Sequence, residues 1–256
     1  MSSASEDVEA LRRLDELTRR LRRECPWDRE QDERSIVPHT VEEAYELAAA
    51  AHADDDAKLL DELGDVLFQV HFLALLLEER GAGSLAAVAD GIHAKLVRRH
   101  PHVFGEVAAE DSGTVLRNWD AIKRGEEGRE PGLFGEVPEN LPGPLYARKV
   151  QRRAASSGFY FEDVPYEAVA GELEELRAAG DREERFDEVG DVLFAAVNVA
   201  RKLRVDPELA LRAASDRFRG RVQAAADLAA GDGADWHDLG PDEQLAYYAQ
   251  ARATET

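Results

Sequence analysis

Between residues 59 and 77, apolar side chains recur at Leu59/Leu60, Leu63, Val66/Leu67, Val70, Leu73/Ala74 and Leu77, the three-four spacing of a helix that buries one stripe. The same spacing predicts helices over 8–21, 41–51 and 85–97 in the first half, and over 166–176, 186–203 and 207–226 in the second. Period-two alternation over the length of a strand is almost absent. The pattern predicts an all-α protein, with neighbouring helices antiparallel wherever the connection is short.

The periodicity breaks between Arg124 and Pro144, where the run GEEGREPGLFGEVPENLPGP holds five glycines and four prolines, too many for a helix to continue. This predicts two domains, 1–125 and 146–256, joined by a linker over 126–145. An internal repeat agrees with the division. Glu62-Leu-Gly-Asp-Val-Leu-Phe recurs as Glu188-Val-Gly-Asp-Val-Leu-Phe, and the acid-rich stretch 41–47 is echoed by 170–176. Two acidic helices in the same order, twice, point to duplication of one helical module.

Composition then narrows the classes of function. The chain carries 53 acidic against 32 basic side chains, a formal charge of −21, which argues against binding to nucleic acid or a membrane surface because both are polyanions. With 44% hydrophobic residues there is material for a core. The single cysteine, Cys25, excludes an internal disulfide or a cysteine zinc cluster, and is read as a small packed residue. The acidic start MSSASEDVEA lacks the basic-then-apolar order of a signal peptide, and the longest apolar run, 72–77, is too short to span a bilayer. These features predict a soluble, cytoplasmic protein.

The candidate chemistry lies in the acids. Residues three apart on a helix lie about 60° apart around its axis, so Glu43 and Glu46 share a face, as do Glu62 and Asp65, with Glu42 within about 40° of Glu46. A single ExxE or ExxD in so acidic a chain is an ordinary solvated face. Here Asp65 sits in an apolar run beside Gly64, where another helix is expected to approach closely, and a charge beside a buried stripe needs a partner. If the two helices are antiparallel, four or five carboxylates converge. Their mutual repulsion is relieved by a hard divalent cation, Mg²⁺ or Mn²⁺ rather than zinc.

Glu42-Glu43-x-x-Glu46 followed by Glu62-x-x-Asp65 resembles the EExxE…ExxD signature of the MazG-type nucleoside triphosphate pyrophosphohydrolases, all-α enzymes related to dimeric dUTPases. The resemblance runs through Cys25-Pro26-Trp27-Asp28, Glu62 to Gln69, Lys95 to Phe104, Asn118 to Lys123 and Lys149 to Phe159, nearly the whole chain. It implies two tandem helical-bundle modules whose four-helix core forms by pairing of modules or of chains, and a homodimer is expected. It also implies Mg²⁺-dependent hydrolysis of a nucleoside triphosphate between the α and β phosphates, giving the monophosphate and pyrophosphate. Glu43, Glu46, Glu62 and Asp65 are then the metal ligands, and Glu42 activates water.

Negative charge grows on the leaving pyrophosphate, so cations are expected opposite the acids. Lys95 and Arg99, one turn apart, are the natural pair, with Lys123 a third, and Trp119 offers an aromatic face to the base. In the second module Glu172, Glu175, Glu188 and Asp191 keep the four inner carboxylates, and Arg217 and Arg221 stand in the places of Lys95 and Arg99. That module departs from the pattern at Gly171, which replaces the equivalent of Glu42, and no tryptophan-lysine pair follows; Tyr248 and Arg252 have the separation of Trp119 and Lys123 but form a weaker match. In the first module Gln31-Asp32-Glu33 replaces the family's Gln-Thr-His.

Other chemistries fit less well. His100, His102, His237 and Asp238 do not make the set an HD-type phosphohydrolase needs, and neither a GxxxxGK[ST] loop nor a Nudix box is present. The rival from another class is a helical nucleotide-binding or regulatory protein that holds metal and nucleotide without turnover. Intact Glu42, Glu43, Glu46, Glu62 and Asp65 in one module argue against it.

Overall fold

Each helix expected from the three-four pattern is present in the computed structural model, which describes residues 4–53, 55–105, 114–115, 118–119, 122, 132–135, 137–159 and 163–254. Among these residues there are helices and no strand. The chain divides into two compact units, Met1–Glu127 and Gly128–Thr256.

The first unit holds α1 (Ala4–Glu24), α2 (Pro26–Glu30), α3 (Glu33–His52), α4 (Asp56–Glu79), α5 (Leu85–Arg99) and α6 (Pro101–Phe104). Helix α3 starts eight residues before the apolar spacing suggested, because Asp32 caps it. The Asp32 side chain accepts from Ser35 N at 2.9 Å and Ser35 Oγ accepts from Asp32 N at 2.9 Å, so two backbone donors are satisfied reciprocally. Asp32 thus fills the place of the family's Thr with another strong capping residue. Pro38 is carried inside α3 without ending it. Asp55 and Ser84 cap α4 and α5 one way only, their side chains accepting from Lys58 N and Ala87 N. At the end of α4 the chain turns through Gly81 at φ +69°, which closes the Ala82 N to Leu77 O bond at 2.9 Å.

Helices α3 and α4 form an antiparallel hairpin, since Glu33 at the start of α3 meets Arg80 just beyond α4 at 3.0 Å. Their core is Ile36, Phe72 and Leu76, with Phe68 and Leu73 against it. Helix α1 clamps the far end of α4: Arg19 pairs with Glu78 at 2.7 Å and Arg22 with Glu79 at 2.8 Å.

The second unit holds α7 (Gly143–Ser156), α8 (Tyr166–Ala178), α9 (Arg182–Lys202), α10 (Pro207–Gly231) and α11 (Pro241–Ala253). Helix α7 begins inside the segment read as linker: Pro144 lies in its first turn, where the missing N–H costs no intrahelical bond. It is tied to α9 by Gln151 Nε2 donating to Phe194 O at 2.7 Å, and to the cap of α10 by Arg148 and Asp206 at 2.5 Å. Helices α10 and α11 pack against each other, and Ala225 and Ala229 on the first and Ala251 on the second are at most 2% exposed.

Two sequence expectations are corrected here. The stripe of α4 is buried only toward its C-terminal half, whereas Leu63, Leu67 and Val70 stay exposed. Among the described residues no helix approaches Gly64 closely, since a Cβ built there meets nothing within 4 Å. Val88, Ile92 and Leu96 form a second exposed apolar row on α5. In the second unit Phe186, Val189 and Leu193 do the same on α9. No helix among the described residues is long and apolar enough to cross a membrane.

Candidate active site

The antiparallel hairpin of α3 and α4 brings their acidic faces together. Glu43, Glu62 and Asp65 each offer a carboxylate oxygen within 4.8 Å of the others. The corresponding hairpin of α8 and α9 does the same with Glu172, Glu188 and Asp191. Glu46 and Glu175, the fourth acids expected in each set, are not in these close groups. They stand near enough to be the strongest carboxylate influence on Glu62 and Glu188, respectively.

The sets are electrostatically strained. Glu62 is only 5% exposed, and burial pushes its carboxyl above the usual range, with Glu46 and Asp65 adding repulsion that Lys58, 3.8 Å away, offsets in part. Glu43 is raised by burial and then by Asp65, Glu46 and Glu62. Glu188 is raised by burial and then by Glu175, Asp191 and Glu172. Among the described residues Glu188 Oε2 is buried and accepts no hydrogen bond. A buried carboxylate oxygen without a donor, next to two further carboxylates, suits a cation. An oxygen-only donor set on rigid helices fits Mg²⁺ or Mn²⁺.

Glu42 is not in the close group, although its charge still helps to raise the Glu43 carboxyl. Its side chain is exposed, and Oε2 accepts a hydrogen bond from His39 Nδ1 at 3.2 Å, one turn earlier on α3. An ionised carboxylate only accepts, so this contact assigns the Nδ1–H form to His39. The His39 ring lies against Trp27, centroids 6.1 Å apart. His39 was not singled out in the sequence, although its i, i+3 spacing from Glu42 was there to be read.

The expected cations are more dispersed. Lys95 and Arg217 occupy exposed positions on α5 and α10. Arg99 lies over the Trp119 ring at 5.4 Å, which sets a guanidinium and an aromatic face side by side. In the second unit Tyr248, the weaker match to Trp119, packs on Phe218, next to Arg217 in sequence, with ring centroids 5.9 Å apart. Arg221 is half-buried on the same helix. Lys123 lies outside the described residues.

Residues 31–104 match the family model described as the MazG nucleotide pyrophosphohydrolase domain. Over 227 residues the chain is 40% identical to the nucleoside triphosphate pyrophosphohydrolase/pyrophosphatase MazG of Thermotoga maritima, a match covering 88% of this chain and 87% of that protein. It is 38% identical over 218 residues to the nucleoside triphosphate pyrophosphohydrolase of Escherichia coli K12, covering 82% and 83%. A third relative, the nucleoside triphosphate pyrophosphohydrolase of Mycobacterium tuberculosis, is 34% identical over 152 residues, 58% of this chain and 46% of that protein.

Proposed function

The chain belongs to the MazG nucleotide pyrophosphohydrolase family, and from that premise we propose that it hydrolyses nucleoside triphosphates between the α and β phosphates, with Mg²⁺ or Mn²⁺ as cofactor. The observation that carries the reading is the convergence of Glu43, Glu62 and Asp65 within 4.8 Å on one helical hairpin, repeated by Glu172, Glu188 and Asp191 on another. Carboxylates crowded to this degree raise one another's proton affinity, and a divalent cation is the hard partner that relieves them.

When bound, the cation neutralises phosphate charge and supplies a Lewis acid. Glu43, Glu62 and Asp65 hold it, with Glu46 alongside. Glu42 lies outside that group and is oriented by His39, which leaves it available to take a proton from the attacking water. Lys95 and Arg99, and Lys123 on the family resemblance alone, are assigned to phosphate oxygens whose charge grows as pyrophosphate leaves. Trp119 stacks on the base.

The exposed rows on α4, α5 and α9 support a homodimer. Apolar residues at i, i+4 and i+7, such as Leu63, Leu67 and Val70, form the seam through which helices pair into bundles. The absence of close neighbours at Gly64 leaves room for such a helix beside the carboxylates. The cytoplasm, where nucleoside triphosphates and Mg²⁺ are plentiful, is the compartment we assign.

The test is metal dependence. Activity on a panel of nucleoside triphosphates should vanish in excess EDTA and return with Mg²⁺ or Mn²⁺. Full turnover in EDTA contradicts the reading.

A further inference from the structure

Lys58 stands where its helix disfavours it. It lies in the first turn of α4, its backbone N–H held by the capping Asp55 at 3.0 Å, and the positive end of the helix dipole repels a cation there. The internal repeat shows what the position can do instead. Four residues before Glu188, and likewise three after a capping aspartate, the second unit has Glu184, whose Oε2 accepts from Gly180 N at 2.7 Å. An acid here satisfies a donor at the helix start and complements the dipole. Lys58 does neither.

Its ammonium belongs to the carboxylate group. Lys58 Nζ lies 3.8 Å from Glu62 Oε1, with the lysine half-exposed and the Glu62 side chain buried. The lysine precedes the acid, the weaker order for a pair four apart on a helix, so helix stability does not account for the contact. Its effect is on the acid, where Lys58 opposes the repulsion of Glu46, Asp65 and Asp61. Among the described residues Glu188 has no such partner. Arg185, three residues before it, donates to Ala179 O and Gly180 O instead. The leading influences on Glu188 are burial and four acids, and its Oε2 accepts no hydrogen bond.

We propose, on the reading of metal-dependent hydrolysis given above, that Lys58 is the resident counter-ion of the first carboxylate group, holding Glu62 until that group takes a divalent cation and turning to the triphosphate afterwards. A positive charge beside Glu62 repels a bare divalent cation and attracts a phosphate chain. Lys58 therefore favours loading of metal together with nucleotide over loading of metal alone. Its flexible four-carbon stem lets the ammonium leave Glu62 without moving the helix. The second group, with Glu184 in that position, lacks this discrimination.

The test is Mn²⁺ uptake by the full chain at low ionic strength, read from the electron paramagnetic resonance of the free ion. Glu188→Gln with Asp191→Asn is the background, so that the first group alone is read. Lys58→Met should bind Mn²⁺ about tenfold more tightly, Lys58→Glu more tightly still, and Lys58→Arg like the background protein. The difference should shrink as salt is raised. With Mn²⁺ saturating and the second group intact, Lys58→Met should raise KM for a nucleoside triphosphate about threefold, the scale of one exposed ion pair, with kcat little changed. Circular dichroism checks that each variant is folded. The proposal alone is overturned if Mn²⁺ is bound but no more tightly by Lys58→Met and Lys58→Glu, or if the KM of Lys58→Met is unchanged or lower. Absence of Mn²⁺ uptake in every protein overturns the metal-dependent reading, and the proposal with it.

Discussion

His39 Nδ1 donates to Glu42 Oε2 across 3.2 Å, one turn along α3, and the same imidazole rests against the Trp27 ring. The carboxylate proposed to act on the water is therefore held from outside the close carboxylate group, by a residue that need not touch substrate. His39→Ala should lower kcat about tenfold, the usual scale for losing a partner that orients a reactive group, with little change in KM. His39→Gln, which can still donate to Glu42, should recover most of that loss. Equal loss in both variants, or a change confined to KM, would remove His39 from the positioning role.

The two carboxylate groups are alike in spacing but not in surroundings. Glu42 has no counterpart at Gly171, and no tryptophan-lysine pair like Trp119 and Lys123 follows in the second unit. Glu62→Gln or Asp65→Asn should abolish most activity, by orders of magnitude, and Glu188→Gln or Asp191→Asn should cost much less. Steady-state rates of the four variants, with folding checked by circular dichroism, decide it. Loss only from the second pair would move catalysis to the second unit.

Much of this arrangement was legible in the sequence. The three-four spacing of residues 59–77 and the repeated Glu-x-Gly-Asp motif fixed the acid-bearing helices, since a helix sets which side chains share a face regardless of its neighbours. What spacing could not give is which face is covered. Leu63 and Leu67 look like core positions but stay exposed, and Phe72 is fully buried, because burial depends on partners that a local pattern does not name. The start of α3 was missed for a related reason: its first turns are specified by the Asp32 and Ser35 cap rather than by apolar repeats. Helix α11 has almost no one-sided apolar pattern, so local spacing does not predict it; it is held by packing on α10.

The clamp of α1 on α4 predicts a pH dependence of stability. Hydrogen bonds from Arg22 hold the Glu79 carboxyl below its ordinary value of 4.5. Its contribution is therefore complete above about pH 4.5 and is lost as the pH falls through the lowered value. Arg22 also donates to Asp28 O at 2.6 Å and Gln31 O at 3.0 Å. Arg22→Ala should cost about 2 kcal/mol at neutral pH, the scale of hydrogen bonds to a charged group. Urea unfolding of Glu79→Gln between pH 3 and 7 should show a smaller loss on acidification than the parent. An unchanged slope would mean the pair contributes nothing.

The exposed row on α4 predicts assembly. Leu67→Asp places a charge in the middle of Leu63, Leu67 and Val70 and should convert a dimer to monomers, with activity falling in step. Light scattering of the parent chain at working concentration is the check, and a monomeric parent would contradict the dimer.

Phosphorus NMR of a nucleoside triphosphate incubated with the protein and Mg²⁺ tests the central claim most directly. Nucleoside monophosphate and inorganic pyrophosphate should appear together, in equal amounts and from the first time point, with no reaction when EDTA replaces Mg²⁺. Orthophosphate and nucleoside diphosphate as the first products would place the cleavage at another bond and contradict the account.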